Sequence, residues 1–190
     1  MKKIFTFIFF LISMISFSEN KNITTINTLK MFVNEKTFVN KKATEKSYEL
    51  FYSLPETLKK VMVEPKTHKG EIFIYKDNIK IVYLPIFEQT IRDENFQEEN
   101  FIAETIKFFQ ENYKENSSFR KIYDNEKSFK VNNKNLSFEI LKMDKIDGYR
   151  LPTYLKIYEN NILLAELKLS KIKINEEIPE SEFDIKWPKL

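Results

Sequence analysis

The sequence is 190 residues long, with 18 Phe and 9 Tyr against only 2 Gly, and it contains no cysteine. The missing thiols exclude disulfides, thiolate metal sites and a thiol nucleophile. The formal charge of +3 is spread over mixed acidic and basic residues without a block of one sign, so no electrostatic footprint for nucleic acid is present.

In chain order, Lys2 and Lys3 precede an apolar run from Ile4 to Phe17 that ends in Ser16-Phe17-Ser18 before Glu19. Charged start, apolar middle and small residues at the end are the three parts of a secretory signal peptide, and cleavage is expected after Ser18. The run is shorter than the roughly 20 residues a membrane span needs and is interrupted by Thr6 and Ser13. A lipid anchor would need a cysteine at the cleavage point. The expectation is therefore a signal peptide over residues 1–18 and one free, periplasmic domain over 19–190, a size suited to a single core. Two units of the positive charge leave with Lys2 and Lys3, so the processed domain is close to neutral.

Ile23, Ile26, Leu29 and Val33 recur at helical spacing behind Asn22 as a possible N-cap, which predicts a short first helix. From Phe32 onward alternation takes over. Stretches around Phe38, Tyr48 to Tyr52, Leu58 to Val63, Glu71 to Tyr75 and Lys80 to Leu84 read as strands. They are separated by turn chemistry at Leu54-Pro55-Glu56, Glu64-Pro65 through Gly70, and Lys76-Asp77-Asn78.

Between Asp93 and Lys114, with a loose capping box at Asn95 and Glu98, Ile102, Ile106, Phe109 and Tyr113 fall on one face of a predicted central helix, widened by Phe101 and Phe108. Glu99, Glu104, Lys107 and Glu111 take the opposite face. Such a helix docks on a sheet or closes the mouth of one.

Strands resume around Phe129 to Val131, Leu136 to Met143, Leu151 to Ile157, Ile162 to Ile174 and Phe183 to Trp187. The apolar face is odd-numbered through Leu163, Ala165, Leu167 and Leu169 but even-numbered at Ile172 and Ile174, which predicts a bulge near Ser170. The fold class expected is mainly β with α (α+β): a strongly curved antiparallel half-barrel of about ten strands with helices covering the concave face.

Catalysis finds little support. The single histidine, His68, lies in a polar turn and cannot join a histidine cluster for metal, and no serine has a nucleophile-elbow context. Two glycines, Gly70 and Gly148, make no phosphate-cradling loop, and Glu98 and Glu99, adjacent on a helix, diverge into a solvated face. No catalytic residue, metal or cofactor is predicted. Asn22-Ile23-Thr24 and Asn116-Ser117-Ser118 match glycosylation sequons by composition alone. The many rings either fill an ordinary core or line an apolar cavity suited to a lipid or peptide.

The order of several short motifs resembles the LolA-like periplasmic carriers of the outer-membrane lipoprotein-sorting system. They are Leu54-Pro55, the strand to Glu64-Pro65, the strand-turn-strand through Asp77-Asn78 into Tyr83-Leu84-Pro85 and Glu88-Gln89, then Leu151-Pro152, Lys173-Ile174-Asn175 and Ile178-Pro179-Glu180-Ser181-Glu182-Phe183. The resemblance runs from about residue 25 to 187. It implies a lipid-binding protein without catalysis whose partners are acylated lipoproteins or lipids, an inner-membrane lipoprotein-release transporter and an outer-membrane acceptor. The expected state is a monomer. On this reading the cavity and lid candidates are Phe73, Tyr75, Ile81, Tyr83, Ile102, Ile106, Phe109, Leu155 and Leu167, each of which also fits an ordinary core. One departure concerns the lid: carriers of this kind often have a basic residue before the first proline, and here that residue is Leu54, with Lys59 or Lys60 as possible substitutes. A lipid- or lipoprotein-sensing envelope protein on the same scaffold is the alternative, and a purely structural envelope protein would have a packed interior instead.

Overall fold

The computed structural model describes residues 21–39, 42–55, 57–76, 79–94, 101–133 and 135–184. The expected signal peptide, Glu98, Glu99 and Trp187 lie outside these residues. All the described strands form one ten-stranded antiparallel sheet in the order β6-β5-β4-β3-β2-β1-β10-β9-β8-β7. The first half of the chain lays down β1 (Thr28–Val39), β2 (Lys42–Ser53), β3 (Thr57–Glu64), β4 (Ile72–Lys76), β5 (Ile79–Leu84) and β6 (Gln89–Asp93) as a meander toward one edge. Two helices, α1 (Phe101–Glu115) and α2 (Ser117–Asn125), then carry the chain to the other edge. From there β7 (Phe129–Asn133), β8 (Leu136–Ile146), β9 (Tyr149–Glu159) and β10 (Ile162–Ile174) return inward until β10 pairs with β1. The sheet is an open, curved half-barrel, as expected, and its middle is made by its first and last strands.

The face that α1 covers is set by side-chain parity. Leu29, Met31 and Val33 of β1 are buried on it, and across the ladder they stand opposite Tyr52, Leu50 and Tyr48 of β2. On the other side Leu167 of β10 pairs with Leu155 of β9, and Leu155 with Ile140 of β8. All belong to one core cluster that also takes in Ile102, Phe108, Phe109, Phe119 and Tyr123 from the helices. The outer face has a smaller apolar site. Phe51 and Ile74 are buried there, and Lys59 donates to the carbonyl and the Oε1 of Glu182, both at 2.8 Å, holding the C-terminal 3-10 turn Glu180–Phe183 beside β3.

The expected bulge is present. Lys30 pairs with Lys173 but Phe32 with Ser170, so β10 has one residue more than β1 over this stretch, and Lys171 takes a left-handed φ of 51°. That extra residue turns Ile172 and Ile174 to the inner face together with Leu167 and Leu169.

Three expectations are corrected. The first helix is a single 3-10 turn, Ile23–Thr25, capped by Asn22 as predicted, while Leu29 and Val33 belong to β1. A spacing of four fits both a helix and an even-period strand. Met31, buried between them, marks the period as two, and ladders on both sides of β1 hold it extended.

A second helix, α2, stands where only a sequon was read. Asn116 is its N-cap, accepting from the Phe119 N–H at 3.0 Å, and Phe119 and Tyr123 bury its inner face. Finally, Phe183 lies in the C-terminal 3-10 turn rather than in a strand, because its ring packs down onto the sheet's outer side instead of joining a ladder. β6, in turn, is a strand the alternation did not reveal.

The rings gather in one place. Phe108 stacks on Phe138 at 5.1 Å between centroids, Phe109 meets Phe119, Tyr123 and Phe138 at 5.8 to 6.1 Å, and Phe129 closes the group against Phe119 and Tyr123. This cluster fastens both helices to β7 and β8. Replacing Phe138 by alanine is expected to destabilise the protein by about 3–5 kcal/mol. Urea unfolding followed by circular dichroism checks it, and a loss below about 1 kcal/mol would show that the cluster does not hold the helices down.

Candidate functional site

Beneath the N-terminal two-thirds of α1, where the helix crosses β1, β10 and β9, the packing leaves a cavity of about 50 Å³. Its walls are Ile102, Thr105, Ile106, Phe109 and Gln110 from α1, Leu29 and Met31 from β1, and Leu167, Leu169 and Ile172 from β10. Leu151, Pro152 and Leu155 of β9 and Ile23 and Ile26 of the first turn complete it. Only Thr105 and Gln110 bring polar side-chain atoms. The helix lies this way because its apolar residues recur every three to four positions, so one stripe faces the sheet while Glu104, Lys107 and Glu111 remain exposed.

Five of the predicted residues, Ile102, Ile106, Phe109, Leu155 and Leu167, meet at this cavity. The other four do not line it. Tyr75 is buried on the same inner face but three strands beyond β1, opposite Leu58, and Phe73 packs at the margin of the same core. Ile81 and Tyr83 are on the opposite side of the sheet: Ile81 pairs with Ile74 and Tyr83 with Ile72, whereas the inner-face residues of these strands are Phe73, Tyr75, Lys80 and Val82.

Sequence reasoning missed the walls supplied by Ile23, Ile26, Leu29, Met31, Leu151, Pro152, Leu169 and Ile172. The break in parity at Ile172 was the available signal for the last of these. Of the two uses considered for the rings, packing is the main one: among the described residues Phe109 is the only aromatic ring on the wall, and most of the rest is aliphatic.

Polar contacts hold the helices over the sheet at two points. Gln110 donates from Nε2 to the carbonyls of Ile23 and Ile26 at 3.1 and 3.0 Å, tying α1 to the first turn. At the far end the Tyr123 hydroxyl donates to the Arg150 carbonyl at 2.6 Å, and Arg150 returns Nε to the Tyr123 carbonyl at 2.7 Å and a second nitrogen to the Glu126 carbonyl. Burial pushes the Tyr123 phenol well above its ordinary range, so it stays a donor. Leu54, where a basic latch was the family expectation, is exposed in the β2–β3 turn. Of the two possible substitutes, Lys59 is committed to Glu182 on the outer face, and Lys60 stands on the inner face over the rings of Tyr48 and Tyr75 at 5.4 and 5.5 Å.

One carboxylate is buried on the inner face. Glu35 accepts from the Tyr48 hydroxyl at 2.6 Å and pairs with Lys46 at 3.0 Å. Burial first, then the negative charge of Glu35, raise the Tyr48 phenol well above its usual value. The group is satisfied and sits beyond the cavity. His68 is exposed in the turn Lys66–His68, within 2.9 Å of Glu71. Among the described residues no three His, Asp or Glu side chains converge as a metal site, and no helix is long and apolar enough to cross a membrane.

No protein-family profile matches the chain, and no curated protein matches it in sequence. Solved structures do. A LolA superfamily protein from Nitrosomonas europaea superposes with a TM-score of 0.58 at 12% identity, over 86% of this chain and 93% of that one. A DUF1329 family protein from Desulfovibrio piger gives 0.57 at 10% identity over 85% and 91%, and a domain described as outer membrane lipoprotein-sorting from Vibrio parahaemolyticus gives 0.51 at 10% over 83% and 89%. At these identities the likeness concerns architecture. The ten-stranded open sheet with helices across its inner face is the architecture this chain shares with these three structures.

Proposed function

We propose that this chain is a periplasmic carrier that takes up the acyl chains of lipoproteins or related lipids, moves them between the inner and outer membranes and catalyses nothing. Residues 1–18 are then its cleaved signal peptide, and an inner-membrane release transporter and an outer-membrane acceptor are its partners. The observation that carries the reading is the almost wholly hydrocarbon cavity between α1 and the sheet.

At about 50 Å³ the cavity is too small for a whole acyl chain. On this reading, loading an acyl chain requires α1 to move off the sheet. Lifting its stripe exposes Ile102, Phe108 and Phe109 at about 1.5–3 kcal/mol each. An acyl chain of about 15 methylenes returns on the order of 10 kcal/mol on entering the vacated groove. The two terms are of similar size, so capture and release are both possible without chemical energy stored in the protein. Phe119, Tyr123, Phe129 and Arg150 hold α2 at the far end, which leaves α1, over the aliphatic walls, as the section that lifts.

The first test is native mass spectrometry with lipid extraction on protein purified from its own periplasm without detergent. A bound acylated peptide or lipid supports the carrier. Apo protein that also fails to take up a fluorescent acyl probe rejects it.

Two variants make the reading specific. Leu167→Trp fills the cavity and should weaken acyl-probe binding at least about tenfold, whereas Ile81→Ala and Tyr83→Ala, on the outer face, should leave it unchanged. Equal effects at all three positions would remove the cavity as the site. Gln110→Ala deletes two hydrogen bonds that hold α1 closed, worth about 1 kcal/mol each. Stopped-flow uptake of the probe should then accelerate by about five- to thirtyfold, and an unchanged rate would show that this contact does not limit opening.

A further inference from the structure

The first turn, Ile23–Thr25, is the surface on which α1 rests at Gln110, and it cannot hold its own shape. Within it Thr25 N–H donates to the Asn22 carbonyl at 3.1 Å and Ile26 N–H to the Ile23 carbonyl at 3.4 Å. A single 3-10 turn fixes several dihedral angles for few bonds of poor geometry, so neighbouring structure has to keep it in place. Its carbonyls are shared between two outside partners. Those of Ile23 and Ile26 take Gln110 from α1, and that of Thr25, between them, takes Nδ2 of Asn175 at 2.9 Å. We infer that Asn175 is the positioning residue for α1: by holding the first turn against the end of β10, it sets the place at which Gln110 brings the helix to rest. The bearing of this on acyl loading rests on the carrier reading.

Asn175 follows β10 directly, where the β1–β10 ladder ends with Leu29 opposite Ile174. Its backbone is left-handed at φ 55°, a conformation that asparagine tolerates better than most residues, and its N–H still donates to the Thr28 carbonyl at 2.9 Å. The side-chain amide then uses every position it has. Oδ1 accepts from Asn27 N–H at 2.7 Å and Thr28 N–H at 3.3 Å, and Nδ2 donates to the Thr25 carbonyl and the Tyr149 hydroxyl, both at 2.9 Å. Two backbone N–H groups on one side and a carbonyl on the other allow only this orientation of the amide.

One side chain thus joins the first turn, the start of β1, the end of β10 and the start of β9. Ile23, Ile26, Leu29, Leu151 and Ile172, from the same four segments, are walls of the cavity. Thr28 strengthens the junction by donating from Oγ1 to the Glu176 carbonyl at 2.7 Å. Lys21 also ties this region down, donating to the Asp147 carbonyl at 2.9 Å over the Tyr149 ring. Its long, exposed chain has many rotamers to lose, so it restrains the turn less than the short amide does.

If Asn175 acts through the turn that Gln110 grips, the two residues are energetically coupled, and coupling separates positioning from general support. Asn175→Gly keeps the left-handed backbone and removes only the amide. Hydrogen exchange of the α1 amides, read by mass spectrometry, should quicken about tenfold in this variant. That is the loss of three bonds to residues 25–28 at the low end of their usual worth, because Asn175 is exposed. Adding Gln110→Ala should quicken it no further, and the α2 amides, held by Tyr123 and Arg150, should stay protected. Asn175→Asp keeps the Oδ1 acceptor and loses the Nδ2 donor, so it should quicken α1 exchange as well and serves where the glycine variant does not fold. Factors that multiply in the double variant, equal quickening of α1 and α2, or unchanged α1 exchange in the Asn175 variants overturn the inference. Acyl-probe uptake by the same proteins reads the carrier function separately: a wild-type protein that takes up no probe rejects that function and leaves the coupling measured by exchange as it stands.

Discussion

An open sheet of ten strands exposes two faces, and the apolar stripe of α1 is what keeps the inner one dry. Leu29, Met31, Leu155, Leu167 and Leu169 make a continuous hydrocarbon surface across β1, β10 and β9. A closed barrel would turn such a surface on itself, and a sandwich would set a second sheet against it. Here a helix of fifteen residues, Phe101–Glu115, has that task. A cylinder laid on a curved sheet cannot match its shape everywhere, which accounts for the small void beneath it in an otherwise close-packed interior.

The division of labour between aliphatic and aromatic residues follows from the same constraint. Rings are large and rigid, so a few of them, Phe108, Phe109, Phe119, Tyr123, Phe129 and Phe138, fix two short helices against the β7–β8 edge. Under the other part of α1 the walls are branched or unbranched aliphatic chains with several rotamers each. They can repack more readily than interlocked rings. The composition that first suggested a ring-lined cavity thus describes the anchor, and the cavity is next to it.

Much of the fold could be read from periodicity, and the exceptions have a common cause. Alternation located most of the strands and even the bulge in β10, because a parity change from Leu169 to Ile172 cannot be accommodated without an inserted residue. It could not say which way β5 faces. Ile81 and Tyr83 alternate with Val82 and Leu84, so both faces are apolar, and the outer one is occupied too, with Ile74 buried beside Ile81. Placing Ile81 and Tyr83 on the correct face required register information that propagates from β1 through four ladders. The first helix failed for a similar reason, since residues four apart fall on one face under either period. The helix α2 was hidden because Asn116 and the two serines after it were read only as a sequon, although an asparagine three residues before a buried phenylalanine is also what an N-cap looks like.

The absence of a basic residue at Leu54 changes how a lid can be held. A charged latch gives a strong, salt-sensitive contact, whereas Gln110 reaches two backbone carbonyls and holds α1 by neutral hydrogen bonds. Each is worth about 1 kcal/mol, less than the burial of a single ring of the stripe. Closure is therefore governed mainly by apolar area, and the polar contacts fix register: they determine where along the first turn α1 comes to rest. Apolar closure is replaced, atom for atom, when another hydrocarbon enters the groove. A salt bridge would have to be broken without compensation from an acyl chain. If α1 is the lid of a carrier, as proposed, it responds to the hydrophobicity of what approaches it and hardly to ionic strength.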